Sequence, residues 1–153
     1  MSEWGAIERV TAEVLLAEGE VVRGDLHLQA RVAHREGGET PLDLLNRPDP
    51  FFALVPSSGG VCFLAKPQVA MVTCEPTPDA TDPDRLTAAK RVHLEVTLVG
   101  GAEVSGWATL ELPPTRARTL DFLNASDRFF MLSTDDAMRY VHRAHVRLVR
   151  PLD

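Results

Sequence analysis

Histidines, cysteines and arginines carry the candidate chemistry of this chain. His142 and His145 stand three residues apart, and on an extended strand that spacing puts two side chains on opposite faces. They do not make the same-face pair of a helical metal site, and His93 completes a ligand set only through a convergence that the spacing does not show. Cys62 and Cys74 are expected on one strand, where twelve extended residues span about 40 Å, beyond the reach of a disulfide. Their spacing is also not the Cys-x-x-Cys of a zinc site, so both read as reduced thiols in a core. Ser57, Ser58 and Ser126 stand in no Gly-x-Ser-x-Gly elbow, and no glycine-rich phosphate loop or dinucleotide fingerprint occurs. No catalytic residue, metal or cofactor is therefore expected.

Asp43 and Asp121 are spaced as equivalents rather than as an acid–base pair, and capping of a helical turn explains both. Seven arginines lie between Arg116 and Arg150. Of these, Arg116, Arg118 and Arg143, together with Tyr140, are the expected anion or ligand patch. The net charge of −6 opposes general affinity for nucleic acid, which depends on an excess of cations to neutralise phosphates. Outward arginines on strands also hinder unwanted edge pairing. An enzyme would need Asp43, His27 and Arg47 gathered in a cleft.

These residues are set in a repeat. Leu42-Asp43-Leu44-Leu45-Asn46 recurs as Leu120-Asp121-Phe122-Leu123-Asn124, and Asp-x-Phe-Phe-x-Leu follows each at the same distance, from Asp49 and from Asp127. Both offsets are 78 (120 − 42 and 127 − 49). Upstream, Gly19 and Gly24 pair with Gly101 and Gly106 at an offset of 82, which places extra residues of the first copy between Gly24 and Leu42, in the polar stretch His34 to Glu39. Downstream, Phe63 to Val69 pairs with Tyr140 to Val146. The expected organisation is residues 1–75 as a first copy, 76–89 as a Pro- and Asp-rich linker and 90–153 as a second copy.

The repeat also decides the elements. Residues 8–18 alone fit a helix, but their partner, Arg91 to Leu98, alternates strictly and is rich in β-branched residues, so both read as strands. Second strands follow at Val21 to Val32 and Glu103 to Leu112. Thr40 with Pro41, and Thr119 in the second copy, then start single helical turns, with Leu42, Leu45, Leu120 and Leu123 inward and Asn46 and Asn124 as left-handed caps. The Phe-Phe pairs open third strands that hairpin into fourth ones. The fold is expected to be mainly β: two tandem antiparallel β-β-(helical turn)-β-β units, each a small curled sheet or open barrel, packed as a pseudo-twofold dimer, with a flat, continuous eight-stranded sandwich as the structural alternative.

At 153 residues, 44% hydrophobic and 25% charged, the chain can bury a core, whereas each half alone is marginal, so the halves should share an interface. Met1-Ser2-Glu3-Trp4 shows no signal-peptide pattern and no apolar run approaches the ~20 residues of a membrane span, which points to a cytoplasmic protein.

The alternating apolar run, then Gly19-x4-Gly24-x-Leu26, Asp43-x-x-Asn46 and the basic-centred Val141 to Val146, resembles the Sm-like small barrels that bind RNA. In those proteins the acidic residue follows the second glycine closely and precedes Met-Asn; here a longer strand and a helical turn intervene and Leu-Asn follows. The repeated Leu-Asp-x-Leu-Asn with Phe-Phe-x-Leu is similar to a group of uncharacterised bacterial tandem-repeat β proteins with no assigned activity, a resemblance that transfers no functional residue.

Paired phenylalanines address both faces of each sheet, leaving one face for the sister copy, a second protomer or a partner, and Trp4 and Trp107 are the expected partner surface. The function expected is a non-enzymatic protein–protein interaction or regulatory adaptor module, with a protein partner or a homodimer. The alternative is a small-ligand or nucleic-acid sensor on an Sm-like or SH3-like barrel, using Arg116, Arg118, Tyr140 and Arg143.

Overall fold

Alternating apolar and polar residues become long hairpins in the computed structural model, which describes residues 7–29, 38–76, 91–110 and 115–152. In the first half, β1 (Ile7–Leu16), β2 (Val21–Gln29), α1 (Pro41–Asn46), β3 (Phe51–Leu54), β4 (Cys62–Ala65) and β5 (Val69–Cys74) follow in order. The second half runs β6 (Arg91–Leu98), β7 (Glu103–Thr109), α2 (Arg116–Leu123), β8 (Phe129–Ser133), β9 (Met138–His142) and β10 (Val146–Leu152). Residues 77–90, the bulk of the expected linker, lie outside the described residues, as do Trp4 and most of the loop from His34 to Glu39.

The protein is mainly β. One antiparallel sheet has the order β10-β6-β7-β8-β9-β5-β1-β2, and β3 with β4 forms a separate hairpin. That hairpin meets β2 through the single bridge Asp25–Val55. The only β7–β8 pair, Trp107–Ser133, occupies the equivalent place, since 107 − 25 is 82 and 133 − 55 is 78. Gly24 and Gly106 make these close crossings possible. A Cβ at Gly24 would lie 2.7 Å from the Val55 carbonyl oxygen, and one at Gly106 would lie 2.9 Å from the Leu132 Cβ. The β1–β2 and β6–β7 turns each close on a glycine at φ +98, Gly19 and Gly101, a backbone conformation that side chains resist. Even the irregularities match: β5 on β1 and β10 on β6 slip register at corresponding points, between Leu16 and Leu15 and between Leu98 and Thr97.

Several expectations are corrected. The sheet is open and not closed into a barrel, because β10 and β2 end it without pairing to one another. Among the described residues each half has five strands: a short 3₁₀ turn, Lys66–Gln68 or Arg143–His145, breaks the expected fourth strand and starts a fifth. Cys62 and Cys74 consequently lie on different strands, β4 and β5. Burial pushes the Cys74 thiol up to about 12. A twofold axis would join equivalent strands, yet the halves meet through β5 and β9, the fifth strand of one and the fourth of the other, in the register Met71–Val141 to Cys74–Met138.

Helix α1 begins as its sequence reads, with the Thr40 hydroxyl accepting from the Asp43 N–H at 3.1 Å, the Asp43 carboxylate accepting from the Thr40 N–H at 2.9 Å, and Pro41 in the first turn. In the second half Thr115, not Thr119, is the cap, accepting from the Arg118 N–H at 3.1 Å. Helix α2 is therefore longer, Thr119 is buried within it, and Asp121 is exposed in its last turn. Neither asparagine is left-handed, as no described non-glycine residue has positive φ. Leu45 is buried and Leu42 and Leu123 are half-buried, but Leu120 is exposed, contrary to expectation.

Candidate functional site

Among the described residues two hydrophobic cores form, and each takes side chains from both halves. The first gathers Val14, Leu26, Leu45 and Val72 around Phe129 and Tyr140 of the second half. The second gathers Leu94, Val96, Phe130 and Val141 with Ala70, and with Met71 at its margin, from the first half. The seam between the halves is thus a continuous ladder with packed side chains above and below it.

Polar groups lock this seam. The Asn46 amide donates to the Phe129 carbonyl at 3.2 Å, and the Phe129 N–H donates to Asn46 Oδ1 at 2.8 Å. A side-chain amide thereby reproduces a strand-like pair of bonds across the halves. His142 is buried, its Nδ1 is 2.9 Å from the Val69 carbonyl, and its ring stacks on Phe129 with centroids 4.5 Å apart. His145 Nε2 lies 2.7 Å from the Pro67 carbonyl. Both nitrogens face carbonyl oxygens, so each is the protonated, donating nitrogen. The 3₁₀ turn brings the two rings to 5.1 Å rather than to opposite faces of a strand, yet both are committed to carbonyls. Among the described residues, no group of three or more His, Cys, Asp or Glu side chains is placed to hold a metal. Burial, first of all, holds the His142 pKa below its ordinary range; the nearby His145 and Arg128 act in the same direction, against the bond to Val69.

The residues at the start of the two 3₁₀ turns perform one job with different chemistry. Lys66, fully buried, donates from Nζ to the carbonyls of Leu44 at 3.1 Å and Arg47 at 2.9 Å, at the end of α1. Arg143 donates to the carbonyls of Phe122 at 2.8 Å and Leu123 at 3.1 Å, at the end of α2, and to that of Asp127 at 2.5 Å in the segment that follows. A cation at a helix C-terminus satisfies its orphan carbonyls and opposes the negative end of the helix dipole. Burial lowers the pKa of both side chains, with Arg128 adding to the effect at Lys66.

The ligand patch expected from sequence is not brought together. Tyr140 is buried in the first core, with its hydroxyl pKa raised by burial. Arg143 turns to helix carbonyls and lies over the rings of Phe122 and Phe130, at 5.5 and 5.0 Å. Arg116 and Arg118 are exposed at the start of α2. The enzyme-like trio is likewise used locally: Asp43 sits in its capping box, Arg47 pairs with Glu39, and His27 lies on β2 opposite Arg9. A cleft of about 110 Å³ lies between the β1–β2 and β6–β7 turns, lined by Leu16, Glu18, Leu98 and His145 among others. That is below the ~300 Å³ at which small-molecule pockets usually begin.

Trp107, the described member of the expected partner surface, is partly covered: His93 stacks on its indole at 4.5 Å and the Arg91 guanidinium lies 4.8 Å from its ring. Trp107 is nonetheless exposed at 37%, and the other exposed large apolar side chains among the described residues are Val21 and Val99 beside the β1–β2 and β6–β7 turns, Phe51, Val61 and Phe63 on and beside the β3–β4 hairpin, and Leu120 and Leu148 in the second half. Sequence reading placed Leu120 inward and assigned one of the Phe51–Phe52 faces to a sister copy or partner, but it singled out none of Val61, Phe63 and Leu148 as exposed. No helix among the described residues is long and apolar enough to cross a membrane. Comparison of the chain with protein-family models, curated proteins and solved structures found no match.

Proposed function

We propose that this chain is a cytoplasmic, non-enzymatic protein–protein interaction module, built as two copies of one β unit and acting as an adaptor or regulatory component. The observation that carries this reading is the exposed apolar surface of Phe51, Val61 and Phe63. Two aromatic rings and a valine on one short hairpin form the kind of contiguous patch that marks an interaction site, whereas scattered single apolar residues are ordinary. The ligand-sensor alternative loses support because Tyr140 and Arg143 point into the fold.

The test is a paired substitution, Phe51→Ser with Phe63→Ser, in full-length protein. Both side chains are exposed, so the melting temperature should hold within a few degrees. Specific partners recovered with the wild type should be lost with the variant. Retention of every partner by a folded variant would reject the hairpin as the interaction site.

A further inference from the structure

Among the described residues, five of the eight exposed large apolar side chains, Phe51, Val61, Phe63, Leu120 and Leu148, are the counterparts of residues at the seam. From the second half, Phe129, Met138 and Tyr140 enter the first core at 1%, 3% and 4% exposure. Their equivalents in the first half, at offsets of 78, 77 and 77, are Phe51, Val61 and Phe63, at 55%, 50% and 68%. The receiving side shows the same contrast. Leu42 on α1 and Met71 on β5 are half-buried at the seam, while their equivalents Leu120 and Leu148 are exposed. Strand burial agrees: β5 and β9 are mostly buried, and β10 and β4 are not. Among the described residues, no strand pairs with the outer edge of β4 or of β10.

We infer that the chain binds a second copy of itself head to tail, β4 of one molecule pairing with β10 of the next in the geometry by which β9 pairs with β5 inside the chain. Shifting the internal register by the repeat offsets gives Leu64 opposite Leu148, Phe63 opposite Val149 and Cys62 opposite Arg150. Asn124 then meets the backbone of Phe51 as Asn46 meets that of Phe129. Pro151 has no N–H to offer, so the ladder is shorter at that end than in the internal seam. The contact is heterologous: each molecule offers a different surface to each neighbour, and repetition closes a ring if the rotation per copy divides the circle and otherwise extends a filament. This inference specifies the partner of the interaction module proposed above and rests on that reading.

The full-length protein tests it by sedimentation from micromolar to millimolar concentration and by oxidative cross-linking. Mass should rise with concentration in the wild type, and Asn124→Ala or Phe63→Lys should shift the curve at least tenfold to higher concentration without changing the melting temperature. With Arg150→Cys, the new thiol should form an intermolecular disulfide with Cys62, giving a ladder of covalent species that Cys62→Ser abolishes. A chain that stays monomeric at millimolar concentration would overturn the inference. So would association indifferent to both substitutions, or cross-linking that survives Cys62→Ser, which would place β10 against β10. Loss of other partners through Phe51→Ser with Phe63→Ser in such a monomer would leave the interaction module standing with a different occupant.

Discussion

Asn46 and Asn124 hold the same position in the repeated motif, and the fold predicts very different consequences for replacing them. Asn46→Ala removes two hydrogen bonds to Phe129, at 2.8 and 3.2 Å. Each is worth about 1 kcal/mol net, and a buried N–H left unpaired adds about 1 kcal/mol or more. The Phe129 carbonyl keeps a contact to Arg143 at 3.4 Å, so the N–H at the start of β8 is the group left without a partner. The sum is about 3 kcal/mol, or roughly 6–12 °C for a domain of this size. Asn124 is exposed, and the bond that ends α2 comes from its backbone N–H to the Leu120 carbonyl at 2.9 Å. Alanine keeps that bond, so Asn124→Ala should change stability by less than about 0.5 kcal/mol. Urea unfolding of both variants at low micromolar concentration measures the difference. Asn46→Asp, which keeps the acceptor and loses the donor, should fall between the two. Equal destabilisation by the two alanines would refute the seam role of Asn46.

Further outcomes follow from other contacts. Gly24→Ala and Gly106→Ala each force a Cβ to within 3 Å of the crossing strand, and each should cost about 2 kcal/mol in chemical denaturation; a neutral result would mean that the strands can separate there. Lys66→Met strips donors from the Leu44 and Arg47 carbonyls and should lower stability by about 2 kcal/mol, measured by urea midpoint. Lys66→Arg should recover part of it, since an arginine does this job in the other half. His142 is held below its ordinary value near 6.5, chiefly by burial, so the unfolded chain binds its proton more readily than the folded one. Its stabilising contribution is complete above that value and declines as pH falls through it toward the depressed folded pKa. The urea midpoint should drop between pH 7 and 5.5, and His142→Gln should flatten the decline; an identical slope in the variant would reject this. A fragment of residues 1–76 lacks Phe129, Met138 and Tyr140, whose burial contributes about 1.5–3 kcal/mol each, and should give poorly dispersed amide spectra or self-associate, while a well-folded monomer would show that the first core stands alone.

Much of the local architecture is legible in the sequence, since strand periodicity, turn glycines and a Thr-Pro helix start act over a few residues. Thr40, Pro41 and Asp43 announce the start of α1, whereas the pairing of Gly24 with Gly106 marks equivalent positions without announcing the close crossings made there. The break that creates β5 and β10 is harder to see, because Lys66 to Gln68 and Arg143 to His145 carry no glycine and the 3₁₀ turn is fixed by basic side chains reaching helix ends distant in sequence. Tertiary structure alone decides what repeated residues do. On the proposed reading of two copies of one β unit, joining them end to end gives one interior seam and leaves two open ends, so matching positions meet different surroundings. Asn46, Phe129 and Leu42 lie at the seam, while Asn124, Phe51 and Leu120 lie at the ends. Local pattern sets which way a side chain points along its own strand or helix, but whether anything covers it depends on the neighbouring unit, which no short window of sequence contains.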